Sequence, residues 1–569
     1  MLSVLVSWII IFGISIILGY GFIYFIYKSS RSWLEQIDIY TVSGLMILNV
    51  YAEIFSLLYK VGAKACLGLA VLGIALLLYY YVAKRVEFRK KIKENKISVY
   101  QFLIATIIVI AVMTWTVGYP QHYDTSLYHY QAIKWIEEYG VVPGLGNLHN
   151  RFAYNSAFMA LQALFSFEWL VGQSLHTVNG FVCCFFMIYA VISNRIWKLG
   201  EKIEVSDLLK VATVIYICYY KNLISSPSSD TLTLLLILYI CTKWSEFIER
   251  DIKEMEPYGF LCILSAYAIS LKLSAAACMV LVLWPAMQMI KRKKYKMIIK
   301  HLALGIIVLA PWLVRNVVIS GYLLYPYPQL DIFDVDWKMP ASVLTHDSRE
   351  VIVWGRNVFN VEDYAMPIWK WFSEWFMNNS PVLISIGLIA EGLVLISLIK
   401  KLITKKMDLR LDMIAIYSFV SLVFWISSAP LMRYGMVYLM IPICLCISRC
   451  LNGKRALYEI LLMLIIPTVA SFLGNICNIG EKPYIWQEDY VWKLTEKVEL
   501  ENGISVWFPA EGDQCSADVF PCVPYRNMVE RLELRGQGFE NGFRIKEEYR
   551  ELHIPVSYTH LRAHETLRH

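Results

Sequence analysis

Asp124 lies in a polar stretch whose residue types suit acid–base chemistry. Residues 118–135 read GYPQHYDTSLYHYQAIKW, which places His122 and His129 on either side of the carboxylate. A carboxylate can remove the proton of a hydroxyl group as its oxygen attacks a substrate, and neighbouring imidazoles can orient it or donate protons. Two alternatives remain open. Asp124 precedes an amphipathic segment, as an N-cap residue does, and the trio could hold a divalent cation, although its spacing is not a recognised ligand pattern.

Five other charged residues stand beside apolar segments, and the four cations among them suit the binding of a phosphate group. The five are Arg151, Asp230, Lys272, Arg315 and Arg433. Each also has a simpler explanation. Asp230 follows a Ser/Pro turn and could cap a helix. Lone basic residues at the end of a membrane span commonly extend towards the lipid headgroups. Only their meeting on one membrane face would favour a site for a phosphate-bearing lipid.

The elements that must position these residues are membrane spans. Of the 569 residues, 57% are hydrophobic and 17% are charged, whereas soluble domains are about 25% charged. This composition excludes a water-soluble enzyme and predicts an all-α polytopic membrane protein. Runs long enough to cross the hydrocarbon core lie near 4–27, 40–58, 63–83, 101–117, 169–193, 301–319, 381–400, 411–428, 431–448 and 456–474, and weaker ones near 208–220, 230–247, 258–271 and 273–290. We therefore expect about 14 transmembrane helices.

The distribution of basic residues predicts the orientation of these spans. Residues 84–96, 291–300 and 400–410 are rich in Lys and Arg, whereas residues 320–380 carry eight acids and four bases. Basic loops collect on the cytoplasmic side, so the three basic loops are expected there and both termini outside. All the candidate residues then face the extracytoplasmic side. The net charge of +7 is explained by topology, and no nucleic-acid partner is expected.

This orientation divides the chain into seven consecutive regions. We expect N-terminal spans (1–117), a first outer loop with interfacial helices (118–168), further spans (169–319), a second outer loop (320–380), spans (381–474), an outer C-terminal region (475–555) and a non-native tail (556–569). The tail resembles a translated sequencing adapter and is excluded from the argument.

Two smaller features concern the outer regions. Cys515 and Cys522 lie seven residues apart in the outer C-terminal region, where an oxidising compartment favours a disulfide. The second outer loop contains Trp337, Trp354, Trp369, Trp371 and Trp375. Such rings can stack on sugars, and an interfacial amphipathic helix near 364–377 explains several of them equally well.

The layout and several motifs resemble known membrane proteins. An acid in the first large outer loop, followed by many spans and an outer tail, resembles the GT-C superfamily of integral-membrane glycosyltransferases. The segments YDTSLYHYQAIKWIEEYGVVPGLGNLHNR, SGYLLYPYP and LELRG resemble a group of bacterial multi-pass proteins associated with cell-surface polysaccharide genes, over most of residues 1–550. The GT-C resemblance implies a polyprenyl-phosphate sugar donor and a loop carboxylate that acts as the base, a role that falls on Asp124.

The sequence therefore predicts a glycosyltransferase of the bacterial inner membrane. It would transfer a sugar from a polyprenyl-phosphate-linked donor to a surface glycan or lipid acceptor, with the active site on the extracytoplasmic side. His122, His129, Arg151, Asp230, Lys272, Arg315 and Arg433 are the predicted substrate-binding residues, and a divalent cation remains an open possibility. The alternatives are a polysaccharide flippase or another transporter, and a polymerase of the O-antigen type.

Overall fold

A computed structural model describes residues 1–28, 31–94, 98–197, 202–451, 480, 482–487 and 493–550. It is predominantly helical. In chain order the α-helices are α1 (Leu2–Ile26), α2 (Arg31–Leu34), α3 (Ile37–Leu58), α4 (Ala63–Glu94), α5 (Val99–Thr116), α6 (Tyr130–Glu138), α7 (Leu145–Leu148), α8 (Ala157–Leu164), α9 (Glu168–Val171), α10 (Val178–Ile192), α11 (Val205–Tyr219), α12 (Ser229–Glu249), α13 (Met255–Leu271), α14 (Leu283–Lys291), α15 (Tyr295–Ser320), α16 (Ala341–Gly355), α17 (Ile368–Asn378), α18 (Pro381–Ile403), α19 (Leu409–Ser427), α20 (Met432–Leu451), α21 (Arg526–Glu530) and α22 (Glu547–Arg550).

Within the described residues, ten helical segments are long and apolar enough to cross a membrane. They are α1, α3, residues 63–82 of α4, α5, α12, α14 with the 3-10 turn before it (Leu273–Val282), α15, α18, α19 and residues 432–449 of α20. The protein is thus a multi-pass helical membrane protein. The expected total of 14 stays a prediction, because the expected span at 456–474 lies outside the described residues, as does the tail at 556–569.

The expected span at 169–193 is shorter than the sequence suggested. Its helix, α10, begins only at Val178, because α9 ends at Gly172, which has a φ of +74° in the left-handed region. The apolar residues 153–167, expected to form an interfacial helix, contain α8. All eight residues of α8 are buried, and the helix packs against α3 and α6.

Polar contacts gather at the two ends of the helix bundle. At one end, which we call the site end, Met1 donates its amino group to Pro483 O at 2.9 Å, and Gln487 donates to Thr116 O at 2.9 Å. At the opposite end, which we call the basic end, Lys243 pairs with Asp38 at 2.6 Å. The first residues of α1 and the last of α5 therefore meet at the site end, as the predicted alternation of spans requires.

The C-terminal region departs from the all-α expectation because its described residues include four short strands. β1 (Thr495–Glu499) pairs antiparallel with β2 (Ser505–Pro509), and β3 (Leu532–Leu534) pairs antiparallel with β4 (Phe543–Ile545). Cys515 and Cys522, the pair selected from the sequence, are joined by a disulfide with their Cα atoms 6.0 Å apart.

This region docks on the loop that contains Asp124. Trp135 of α6 is fully buried and packs against Phe520 and Phe543, with ring centroids 5.0 and 5.9 Å away. Gly144 allows the close approach, because a Cβ atom there would lie 2.0 Å from Phe543 O. The two outer loops and the C-terminal region thereby form one apolar layer over the site end.

We predict that the site end and the basic end lie on opposite sides of the membrane. Cysteines at the exposed positions Asp334, in the second outer loop, and Lys296, in a basic loop, test this. A membrane-impermeant maleimide added to spheroplasts should label Asp334→Cys and spare Lys296→Cys until the membrane is opened, with the parent chain as control. Equal labelling of the two variants before opening would contradict the topology. Asp347 is unsuitable for labelling because it is fully buried.

Candidate functional site

Asp124 is held at the start of an unusual helical turn. Residues Thr125–His129 form a π-helical turn that leads directly into α6, and Asp124 makes no side-chain capping hydrogen bond to it. The N-cap alternative is therefore not what the structure shows. Such wide turns occur frequently at functional sites.

The C-terminal region fixes this turn from outside the membrane bundle. Cys515 N–H donates to Ser126 O at 2.9 Å, and Tyr123 OH donates to the Asp513 carboxylate at 2.6 Å. Gln131 accepts a hydrogen bond from Cys522 N–H at 2.9 Å and donates one to Val519 O at 3.0 Å. The segment closed by the disulfide therefore contacts Ser126 and Gln131, which follow Asp124 in the sequence.

Arg433, from the first turn of α20, brings the separate site segments together. Its Nη2 donates to Asp124 Oδ2 at 3.0 Å, and its Nη1 lies 2.8 Å from His122 Nε2. Its Nε is 3.9 Å from Asp230 Oδ2. Asp124 N–H also donates to His122 Nδ1 at 3.1 Å. Because a neutral imidazole accepts at only one nitrogen, Asp124 N–H and the Arg433 guanidinium compete for the single acceptor position of His122.

Asp230 and Lys272 complete this cluster. Their side chains form an ion pair, and the Lys272 ammonium lies 3.3 Å from the centroid of the Tyr434 ring. Ser228, not Asp230, caps α12 by accepting from Asp230 N–H. We call His122, Asp124, Asp230, Lys272 and Arg433 the charge cluster. Its two carboxylates balance its two cations.

The charge cluster fixes the protonation of its members. Burial raises the pKa of Asp124, but the Arg433 guanidinium and then the two histidines outweigh burial and hold that pKa well below its usual range. Burial lowers the pKa of His122 to about 4, with Arg433 acting in the same direction. Burial and the adjacent His122 lower the pKa of His129 to about 3. At neutral pH Asp124 is ionised and both histidines are uncharged.

A cavity of about 410 Å³ opens beside the charge cluster. Among the described residues, eight charged, imidazole or amide side chains line it: Asp124, His129, Arg151, Asn155, Asp230, Lys272, Arg315 and Gln329. Much of the remaining wall is aromatic or aliphatic, including Trp312 and Trp425. Asp124 therefore shares a cavity with three of the four predicted cations, Arg151, Lys272 and Arg315, and it is bonded directly to the fourth, Arg433.

Arg151 and Arg315 stand apart from the charge cluster. Arg315 donates to Asn155 Oδ1 at 3.0 Å and to Ser56 Oγ, and it interacts electrostatically with Glu53. Asn155 has a φ of +40°, in the left-handed region that Asn tolerates. Arg151 faces Glu350, with Nη2 and Oε2 3.7 Å apart.

The residues do not fit the open possibility of a divalent cation. Arg433 bonds to both Asp124 and His122, so a guanidinium occupies the position from which a cation would contact the trio. Within the described residues, no three His, Cys, Asp or Glu side chains are grouped to hold a metal ion.

The tryptophans of the second outer loop do not line the cavity. Trp371 and Trp375 are buried on the inner face of α17, whereas Trp369 is 77% exposed on its outer face. This arrangement matches the interfacial-helix alternative. The aromatic wall comes instead from Trp312, Trp425 and several tyrosines.

Sequence patterns did not single out three residues that interact with site arginines or Lys272, nor one buried acid away from the cavity. Tyr434 directly follows Arg433 in the sequence. Its contact with Lys272 depends on the end of α13 lying beside the start of α20, which the sequence does not show. Glu53 and Glu350 gave no signal because their arginine partners are distant in sequence. Glu391, near the middle of α18, accepts a hydrogen bond from Ser418 at 2.6 Å and is buried.

Comparison with known proteins gives a family. A family model described as a domain of unknown function (DUF8201) matches residues 1–440, which include most of the charge cluster's surroundings and all of its members. No curated protein and no solved structure matches the chain.

We predict that His122 makes the protein less stable in acid. Because its folded pKa of about 4 lies below the unfolded value of about 6.5, the unfolded chain takes up the proton first. The stabilisation is complete above pH 6.5 and is lost as the pH falls towards 4. His122→Gln keeps an acceptor for Arg433 and does not titrate, so wild type should lose about 3 kcal/mol more than the variant over that range. Unfolding midpoints measured against pH in detergent test this, and parallel profiles would contradict it.

Proposed function

We propose that this chain, which belongs to the DUF8201 family, is a membrane glycosyltransferase that takes a sugar from a polyprenyl-phosphate-linked donor. The acceptor is a hydroxyl group of a surface glycan or lipid. The reaction takes place at the site end, on the extracytoplasmic side of a bacterial inner membrane.

The observation that carries the proposal is the balanced charge cluster at the edge of a mostly apolar cavity. Arg433 and Lys272 are cations that bind phosphate oxygens well. They stand beside Asp124, a carboxylate that can accept a proton. The apolar wall suits the hydrocarbon part of a lipid carrier, because apolar surface is stabilised by removal from water. A ligand that is anionic at one end and apolar at the other fits both features.

Binding of the donor phosphate would prepare the base. In the ion pair with Arg433, Asp124 has a pKa too low for an effective base, since general-base efficiency rises as the pKa approaches the working pH. A phosphate that accepts hydrogen bonds from Arg433 and Lys272 competes with Asp124 and Asp230 for these cations. The pKa of Asp124 then rises, so the carboxylate gains basicity only when the donor is present.

The transfer step is a single displacement. The acceptor oxygen forms a bond to the anomeric carbon while the bond from that carbon to the phosphate oxygen breaks. The electron pair stays on the lipid phosphate, where Arg433 and Lys272 stabilise the developing charge. The acceptor proton passes to Asp124 and then to solvent. The configuration at the anomeric carbon is inverted.

Transport is the second candidate function, and Glu391 is the observation in its favour. A buried acid within a membrane span is a frequent element of transport pathways. Glu391 bonds to Ser418 of α19 and is not among the residues that line the cavity. Glu391, near the middle of α18, is thus separated from the cavity beside the charge cluster.

We predict that Asp124→Asn abolishes transfer while the protein folds and inserts normally. Asn keeps the size and can still accept a hydrogen bond from Arg433, but it cannot take the acceptor proton, so activity should fall roughly 10²–10⁴-fold. The measurement is restoration of the surface glycan in a strain lacking the gene, at matched protein levels.

The matched control is Asp331→Asn. Asp331 is an exposed acid that pairs with Lys338 and does not line the cavity, so this variant should transfer at the wild-type rate. Near-wild-type activity of Asp124→Asn would exclude Asp124 as the base.

We predict that the substitution Glu391→Gln distinguishes a glycosyltransferase from a transporter. Gln can still accept the hydrogen bond from Ser418, so the helix pair should persist, and a glycosyltransferase should keep activity within about twofold, as expected for a substitution outside the reacting groups. A transporter that depends on this acid would lose proton-coupled uptake of glycan precursor into everted vesicles. Loss of glycan completion in Glu391→Gln, with Asp124→Asn active, would favour transport.

A further inference from the structure

Arg151 differs from the other two arginines beside the cavity in having no hydrogen-bond partner among the described residues, although its guanidinium lies 5.8 Å from the centroid of the Tyr154 ring. Arg433 and Arg315 each bond to at least two protein groups. Among the described residues, Arg151 makes no hydrogen bond. Its one ionic contact is Glu350, at 3.7 Å, which is beyond hydrogen-bond range. A guanidinium has five N–H donors, and here they remain available.

The position of Arg151 directs these donors towards the substrate space. Arg151 lines the cavity together with Asp124 and Lys272, and 23% of its side chain is accessible there. It lies in the short turn Asn150–Tyr154, which neighbouring groups hold in place. Asn150 donates to Asp347 at 2.7 Å, and Tyr325 OH donates to the other oxygen of Asp347 at 3.0 Å. Asp347 is thus satisfied by neutral donors.

Glu350 is an equally incomplete partner. It is 2% exposed, and its Oε2 receives no hydrogen bond from the described residues. Burial raises the pKa of Glu350, against the opposing effect of Arg151. A buried pair at this distance leaves donors and acceptors unsatisfied, which is costly. An oxyanion that reached Arg151 through the cavity would supply the missing bonds.

We propose that Arg151 binds a second anionic group of the substrate, a carboxylate or a phosphate, in addition to the phosphate that Arg433 and Lys272 receive. The inference rests on the proposed function, since it assumes that the cavity holds the donor and acceptor. The planar guanidinium accepts either group in a two-bond arrangement. The carboxylate would belong to an acidic sugar, and the phosphate would be the second one of a diphosphate carrier.

Equilibrium binding to purified protein in phosphatidylcholine nanodiscs tests this. The probes are glucuronate against glucose, and pyrophosphate against phosphate, so that each pair differs by one anionic group. The fluorescence of Trp312 and Trp425, which line the cavity, reports occupancy. A preference for glucuronate that depends on Arg151 assigns the site to an acidic sugar, and one for pyrophosphate assigns it to a diphosphate.

The two members of the pair should respond in opposite directions. Arg151→Gln should weaken binding of the preferred anion about tenfold or more, the loss expected for a charged hydrogen-bonded contact. Glu350→Gln removes the competing carboxylate and should strengthen it. Arg151→Lys keeps the charge without the two-bond geometry, so it should fall between these variants and provides a test if Arg151→Gln does not fold.

Two results would overturn the inference. One is binding of glucuronate and pyrophosphate with affinities that none of the three substitutions changes. The other is weaker binding in Glu350→Gln as well as Arg151→Gln, which would make the pair purely structural. The assay requires no sugar transfer, so it fails separately from the proposed function. Binding that depends on Arg151 in a chain without transferase activity would refute the proposed function alone.

Discussion

Arg433 is the group on which the arrangement of the site depends. It is bonded to Asp124, lies against His122 and approaches Asp230. These partners come from a loop, from the start of α12 and, through Lys272, from the end of α13. Arg433 and Asp124 are half-buried, with 29% and 17% of their side chains exposed, so loss of either one leaves the other partly desolvated and without its counter-charge. The charge balance therefore holds the ends of three helices, α12, α13 and α20, against the first outer loop.

The C-terminal region acts on the same site from the opposite side. Asp513, Cys515 and Cys522 contact residues 123–131 across nearly 390 positions of sequence. The disulfide limits the freedom of the segment that makes these contacts. Asp124 is consequently held between the membrane bundle and an extramembrane region with its own apolar contacts. This dual support gives a carboxylate in a short, irregular turn a defined orientation, as a positioned base requires.

The cavity combines two environments that rarely meet in one pocket. One wall carries paired charges, and another is formed by rings and aliphatic chains. Most buried charges here are satisfied within the protein: Lys272 by Asp230 and Tyr434, and Arg315 by Asn155 and Ser56. In the part of the chain that the structure describes, Arg151 is the cavity-lining arginine that makes no hydrogen bond. The charge cluster is thus charge-balanced before a ligand binds, whereas Arg151 lacks hydrogen-bond partners among the described residues.

The sequence by itself determined the class of the protein and the position of most spans, and it selected charged residues that the structure brings together beside one cavity. Hydropathy and basic loops report the membrane environment directly, because both follow from transfer of side chains between water and lipid. Spacing of seven residues was enough to select Cys515 and Cys522. Local sequence did not reveal the π-helical turn at Thr125–His129, the late start of α10 or the strands of the C-terminal region, since tertiary contacts override local preference there. Only the tertiary structure decided that Asp124 bonds to Arg433 rather than capping a helix, that Lys272 meets Asp230, and that Arg151 faces Glu350. Each of these pairs joins segments far apart in sequence, and a side chain's charge partner depends on which helix ends meet in space.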